Sequence, residues 1–211
     1  MTVINPDDVQ DSSGSSSGDI PRLKVPYSAV VLVPPKEIWG PIQRIRKEYD
    51  PQISRWMPHV TLLYPFVQEE YLKAAADKLK RACAAMKPFQ LTLRRFNHFD
   101  HGSGEATMYL EPEPTRKVEE LHAELLNVMP WCDDTERFEA GYVPHLSVGT
   151  CRTEEVEGVK EQLQENWSPL QWNVREVDLI ARPAEVNGSF GRISPQNNVE
   201  PPCWLVECGI S

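Results

Sequence analysis

The chain has 211 residues, 40% hydrophobic and 25% charged, with 22 Lys+Arg against 31 Asp+Glu and a formal charge of −9. That balance excludes a wholly disordered chain and fits one compact domain or two small lobes sharing a core. No run approaches the ~18 apolar residues of a membrane span, and no basic-then-apolar leader opens the chain. A soluble cytoplasmic or nuclear monomer without membrane contact is expected. The acidity argues against gripping a long nucleic acid by its phosphates. Cys83, Cys132, Cys151, Cys203 and Cys208 are scattered without a Cys-x-x-Cys pair, which argues against a zinc site or a disulfide framework.

Residues 1–21 are rich in Ser, Gly and Asp and bury almost nothing that offsets the entropy of ordering, so they read as a flexible tail. Asp7, Asp8, Asp11 and Asp19 lie in it, and the domain is expected over 22–211. Val25 to Val33 is β-branched and predicts a buried strand closed by Pro34-Pro35. Ile38, Ile42, Ile45 and Tyr49 recur at helical spacing up to Pro51. A short strand from Pro58 to Tyr64 follows, then a helix with Leu72, Ala75, Ala76, Leu79, Cys83 and Met86 on one face. Gln90 to Phe99 and Ala106 to Leu110 predict a strand pair around the Asp100 to Gly104 turn. Val118, Leu121, Leu125 and Met129 mark a third helix, followed by an irregular stretch from Trp131 to Ala140. Val143 to Thr150 reads as a strand, and Thr153 as the N-cap of a helix with Val156, Val159 and Leu163 inward. Val174 to Ile180 and Cys203 to Cys208 are the last predicted strands. Elements mixed in this way, without strict βαβ alternation, indicate an α+β fold with largely antiparallel sheets. Gly102 and Gly104 sit in a turn, so no glycine-rich phosphate loop is supported.

The informative signal is a short repeat. Pro58-His59-Val60-Thr61-Leu62 and Pro144-His145-Leu146-Ser147-Val148 share the order Pro-His-apolar-hydroxyl-apolar, each with an aromatic residue, Trp56 or Tyr142, three positions before the histidine. On a strand, side chains at i and i+2 share a face, so each copy offers an imidazole and a hydroxyl to one surface. Two imidazoles titrating near neutrality divide the roles of general base and general acid, and two hydroxyls bind non-bridging phosphate oxygens. Such a set suits phosphodiester cleavage without a metal.

These two motifs, in an α+β chain of this length, resemble the two-histidine phosphoesterase superfamily, also called 2′-5′ RNA ligase-like or cyclic phosphodiesterases. Over residues 22–211 the resemblance implies a bilobal fold, two pseudo-symmetric lobes with outer helices flanking a central groove, one motif strand from each. It implies a nucleotide or RNA-end substrate with a 2′,3′-cyclic or related phosphodiester, and neither metal nor cofactor. By position, His59 and His145 are the catalytic pair and Thr61 and Ser147 the phosphate ligands. In-line displacement needs the histidines on opposite sides of phosphorus; the expectation is that His145 activates water and His59 protonates the leaving oxygen or, by the pseudo-two-fold symmetry, the reverse. A nucleotide-binding module without turnover, or a ligase running related chemistry backwards, are the alternatives.

Around the motifs, Tyr27, Phe66 and Tyr142 are candidate base-stacking partners, and Arg55 and Arg152 candidate anion-steering groups. His98, Asp100, His101 and Glu105 surround a polar turn and read as a solvated loop. His122 lies on an apolar helix face and reads as a core or rim histidine. Arg44, Arg46 and Lys47, like Lys78, Lys80 and Arg81, read as exposed helix faces.

Overall fold

A computed structural model describes residues 20–84, 86–136 and 141–182 and the backbone of Trp204–Gly209. The predicted N-terminal tail therefore lies outside the described residues, except that Ile20 is already buried in the core. In chain order the elements are β1 (Lys24–Val25), β2 (Ser28–Leu32), α1 (Trp39–Tyr49), β3 (Val60–Leu63), β4 (Phe66–Val67), α2 (Leu72–Cys83), β5 (Phe89–Asp100), β6 (Glu105–Glu113) and α3 (Thr115–Val128). Then come β7 (Leu146–Arg152), α4 (Val156–Glu165), β8 (Leu170–Val174), β9 (Glu176–Ala181) and β10 (Trp204–Gly209).

Two four-stranded sheets carry the fold, in the orders β10-β9-β2-β3 and β7-β6-β5-β8, with β1 and β4 as a two-residue ladder beside them. Every pairing among the described residues is antiparallel, as the mixed element order predicts. The fold is α+β and bilobal. The strand that begins just after each motif histidine is an edge strand, β3 in the first sheet and β7 in the second.

Helices follow from the apolar spacing. In α2, Leu72, Ala75, Ala76, Leu79, Ala82 and Cys83 are buried at intervals of three and four, against β9, β10 and α3. In α3, Val118, Leu121, His122 and Leu125 face inward against β6 and β3. Helix α4 covers β5 and β6, whereas α1 crosses to the second lobe and packs on β7. That crossing depends on Gly149: its φ is +143°, and a Cβ there would lie 2.4 Å from the backbone of Tyr49.

Three local expectations are corrected. The strand foreseen over Val25 to Val33 is broken by a turn at Pro26-Tyr27, where proline has no ladder donor. Val174 to Ile180 is not one strand: the chain leaves the second sheet after Val174 and enters the first at Glu176, because Val174 pairs with Phe89 and Ile180 with Ala29. The apolar residues Val174, Val177, Leu179 and Ile180 cannot show that the two ends of the stretch are buried in different sheets. Thr153 does not cap α4; its backbone N–H donates to Gly104 at 3.0 Å, and Glu155 holds the cap position.

Candidate active site

His59 and His145 sit one residue before β3 and β7 rather than within them. Their local geometry is the same. His59 Nδ1 lies 2.7 Å from the carbonyl oxygen of Met57, and His145 Nδ1 lies 2.7 Å from that of Val143. A carbonyl only accepts, so each Nδ1 carries a proton and donates it, and each neutral ring keeps Nε2 as its free basic nitrogen. The repeated proline explains the geometry: it holds the preceding residue extended, and the carbonyl of that residue is the one the ring reaches.

Both rings, with Thr61 and Ser147, line a single cleft of about 270 Å³. Residues from 50–57 close one side, and Thr107 and Thr150 join Ser147 on the other. Sequence parity misses Thr150, which the alternation would aim away from Ser147. A bulge at Val148 changes the register, so that Ser147 faces Tyr109 and Thr150 faces Thr107, and Tyr109 and Thr107 share a side of β6.

Burial is the first cause of the electrostatics. It drives His59 down to about 4, with the nearby Arg46 guanidinium pushing the same way, and it lowers His145 from its ordinary value as well. With both lowered below the ordinary value, the neutral imidazole prevails near neutral pH.

Arg46, expected on an exposed face, is 3% exposed and lines the cleft. Its Nε donates to Asp50 Oδ2 at 2.7 Å, Nη1 to Gln43 Oε1 at 3.1 Å, and Nη2 to the Trp56 carbonyl at 2.8 Å. The i, i+4 spacing to Asp50 looks like an ordinary solvated pair in sequence; burial comes from the following loop folding back over it. Because Arg46 grips Trp56 and Met57 grips His59, the guanidinium anchors the segment that delivers the first imidazole.

The secondary candidates separate. Phe66 is fully buried in the core and offers no face to a ligand. Arg152 is exposed, paired with Glu154 and Glu155, and outside the cleft lining. Tyr27 and Arg55 are half-buried and do not line the cleft either. Tyr142 packs under the site: its ring stacks on His122 at 3.8 Å and its hydroxyl donates to the Thr61 carbonyl at 2.7 Å. His122 is a core histidine, with Nε2 2.9 Å from Thr135 Oγ1. Asp100, His101 and Glu105 are exposed, as a solvated turn requires. Sequence reasoning also missed the wall behind His145, where Phe99 and Tyr109 stack at 4.4 Å and both meet the imidazole edge-on.

Among the described residues, no helix is long and apolar enough to cross a membrane. The sequence matches the 2′-5′ RNA ligase superfamily over residues 34–185. It is 33% identical over 121 residues to a Geobacillus kaustophilus protein named "Putative phosphoesterase", an alignment covering 57% of this chain and 66% of that protein, just under two thirds of its length. The fold is similar to that of TT0787 from Thermus thermophilus, with a TM-score of 0.54 and 16% identity, covering 87% of this chain and 97% of that one. It is also similar to Escherichia coli LigT, solved with NADP+, at a TM-score of 0.50 and 16% identity over 90% of this chain and 99% of LigT. With both His-x-hydroxyl motifs brought to one cleft between two antiparallel sheets, the chain belongs to the 2′-5′ RNA ligase superfamily of two-histidine phosphoesterases.

Proposed function

We propose that the cleft hydrolyses a 2′,3′-cyclic or related phosphodiester of a nucleotide or RNA end, by metal-independent acid–base catalysis between His59 and His145. The observation that carries this reading is the duplicated geometry: two imidazoles, each oriented by a 2.7 Å bond from Nδ1 to a backbone carbonyl, with Thr61 and Ser147 beside them in one cleft. A binder has no need of two oriented proton-transfer groups. The relative named as a phosphoesterase and the nucleotide held by LigT support the same substrate class.

One imidazole takes a proton from water as its oxygen bonds to phosphorus; the other gives a proton to the ribose oxygen as its bond to phosphorus breaks. The hydroxyls of Thr61 and Ser147 donate to the non-bridging oxygens. Since burial disfavours the charged form of both rings, the acid gains its proton with the substrate, whose negative charge offsets the desolvation of imidazolium.

Electrostatics favour the reverse of the division expected from sequence. Of the fixed charges near His59, the Arg46 guanidinium opposes imidazolium more than its partner Asp50 favours it, and among the described residues no such charge acts on His145, so His59 is assigned as base and His145 as acid. Incubation with 2′,3′-cyclic mononucleotides and with oligonucleotides ending in a cyclic phosphate is expected to give a phosphomonoester, equally in the presence of EDTA. A nucleotide bound but unchanged, or activity lost to EDTA and restored by a divalent ion, overturns the proposal.

A further inference from the structure

The two motif strands belong to different sheets, and both are edges, so no ladder of backbone hydrogen bonds joins β3 to β7. Yet in-line displacement requires the imidazoles at their ends to flank one phosphorus atom within a fraction of an ångström. Tyr142 spans that gap. It lies three residues before His145, and its hydroxyl donates across the cleft floor to the carbonyl of Thr61, at 2.7 Å. The acceptor belongs to the same residue whose side chain lines the cleft.

The tyrosine is itself held. Its ring stacks on His122 with 14° between the planes, and His122 is tied to Thr135. Burial pushes the phenol well above its ordinary ionisation range, so it remains a donor. Trp56, at the equivalent place in the first motif, makes no such crossing: it sits edge-on to His59, at 6.1 Å, and packs on Ala29, Val31, Met57 and Ile180 in its own lobe.

We propose that Tyr142 is a positioning residue for the reaction, fixing Thr61 and the His59 strand against the His145 strand through its hydroxyl. This rests on the phosphodiesterase reading above. Tyr142→Phe keeps the ring and its stack and removes only the hydrogen bond. With a 2′,3′-cyclic mononucleotide, at a temperature where every variant is folded, Y142F is expected to lower kcat about tenfold while KM moves less than about threefold. In a Thr61→Ala background, which removes the hydroxyl but keeps the carbonyl and the His59 strand, the same change is expected to cost less than in the native chain. An unchanged kcat, or an equal loss in both backgrounds, overturns the proposal. If the native protein turns over no cyclic phosphodiester, the functional reading fails by itself. The positioning claim is then read with inorganic phosphate, by NMR of the two ring ε protons: Y142F must weaken the phosphate response of His59 more than that of His145. Equal responses overturn it.

Discussion

The two halves of the cleft carry the same chemical groups in different surroundings. On the first side His59 is backed by Trp56 and by the buried Arg46–Asp50 pair; on the second, His145 is backed by the neutral aromatic pair Phe99 and Tyr109. What repeats is the cleft-lining motif: proline, imidazole, the carbonyl that receives its Nδ1–H, and hydroxyl. What diverges is the shell that tunes them. On the mechanism proposed above, the repeated motif supplies the two proton-transfer groups, and the divergent shell supplies the inequality that acid–base chemistry needs.

The sharpest way to break that comparison is to delete each imidazole in turn. His59→Ala and His145→Ala are each expected to lower kcat by about 10²–10⁴-fold. Their residual pH–rate profiles should differ. Loss of the base removes the acidic limb, because no group must then be deprotonated; loss of the acid removes the alkaline limb. With the roles assigned above, H59A flattens the acidic side and H145A the alkaline side. The opposite pattern returns the roles to the division first read from sequence.

The next largest effect falls on the first side alone. Arg46→Met leaves the Asp50 carboxylate, 12% exposed, without its guanidinium, and frees the Trp56 carbonyl. Removing one partner of a buried pair costs about 3–5 kcal/mol, read from urea unfolding of the variant against the native chain. A loss below about 1 kcal/mol would mean that water replaces the guanidinium and that Arg46 does not organise the loop. Phe99→Leu, the matching probe on the second side, removes no charge and is expected to cost less.

Gly149→Ala tests the contact that seats α1 on β7. Its left-handed φ and the 2.4 Å approach to Tyr49 leave no place for a methyl group. Backbone strain and overpacking together predict a loss of roughly 3 kcal/mol. Unchanged stability would show that the end of α1 yields easily.

The chemical half of this site was legible in sequence because its signal is residue type at fixed spacing: His59, Thr61, His145 and Ser147 reach one cleft from positions that share a pattern. The tuning half was not, because each of its members depends on a partner brought up by the tertiary fold. Arg46 has the spacing of a surface pair and is buried by residues beyond Asp50. Tyr142 acts through a backbone carbonyl in the other lobe, which no side-chain pattern records. Thr150 is turned into the cleft by a bulge at Val148, one residue that reverses the parity of the strand. The same limit governs the fold. Helical faces such as Leu72, Ala75, Ala76 and Leu79 are fixed by local periodicity, whereas the crossover at Arg175 is visible only in the pairing of β8 and β9 with different sheets.

The smallest expected effect compares His59, half-buried in the cleft, with His122, buried in the core, two histidines of unlike purpose. Burial lowers each to about 4, against an ordinary value near 6.5. The sign follows from proton counts: between those values the unfolded chain binds protons that the folded chain refuses. Stability from each is therefore fully present above pH 6.5 and is lost as pH falls toward 4, by at most about 1.4 kcal/mol per pH unit per histidine. Carboxylates titrate in part of the same window, so the measurement is a difference: urea unfolding from pH 4.5 to 7.5 for the native chain, His59→Gln and His122→Gln. Each variant should show a shallower slope than the native chain. Inorganic phosphate should separate the two, since an anion in the cleft stabilises imidazolium at both motif histidines, His59 among them, and lies apart from His122, which is stacked behind Tyr142. Phosphate should flatten the slope of H122Q, which keeps both motif histidines, more than that of H59Q, which keeps His145 alone. No flattening in either variant would place the anion elsewhere than between the two motif histidines.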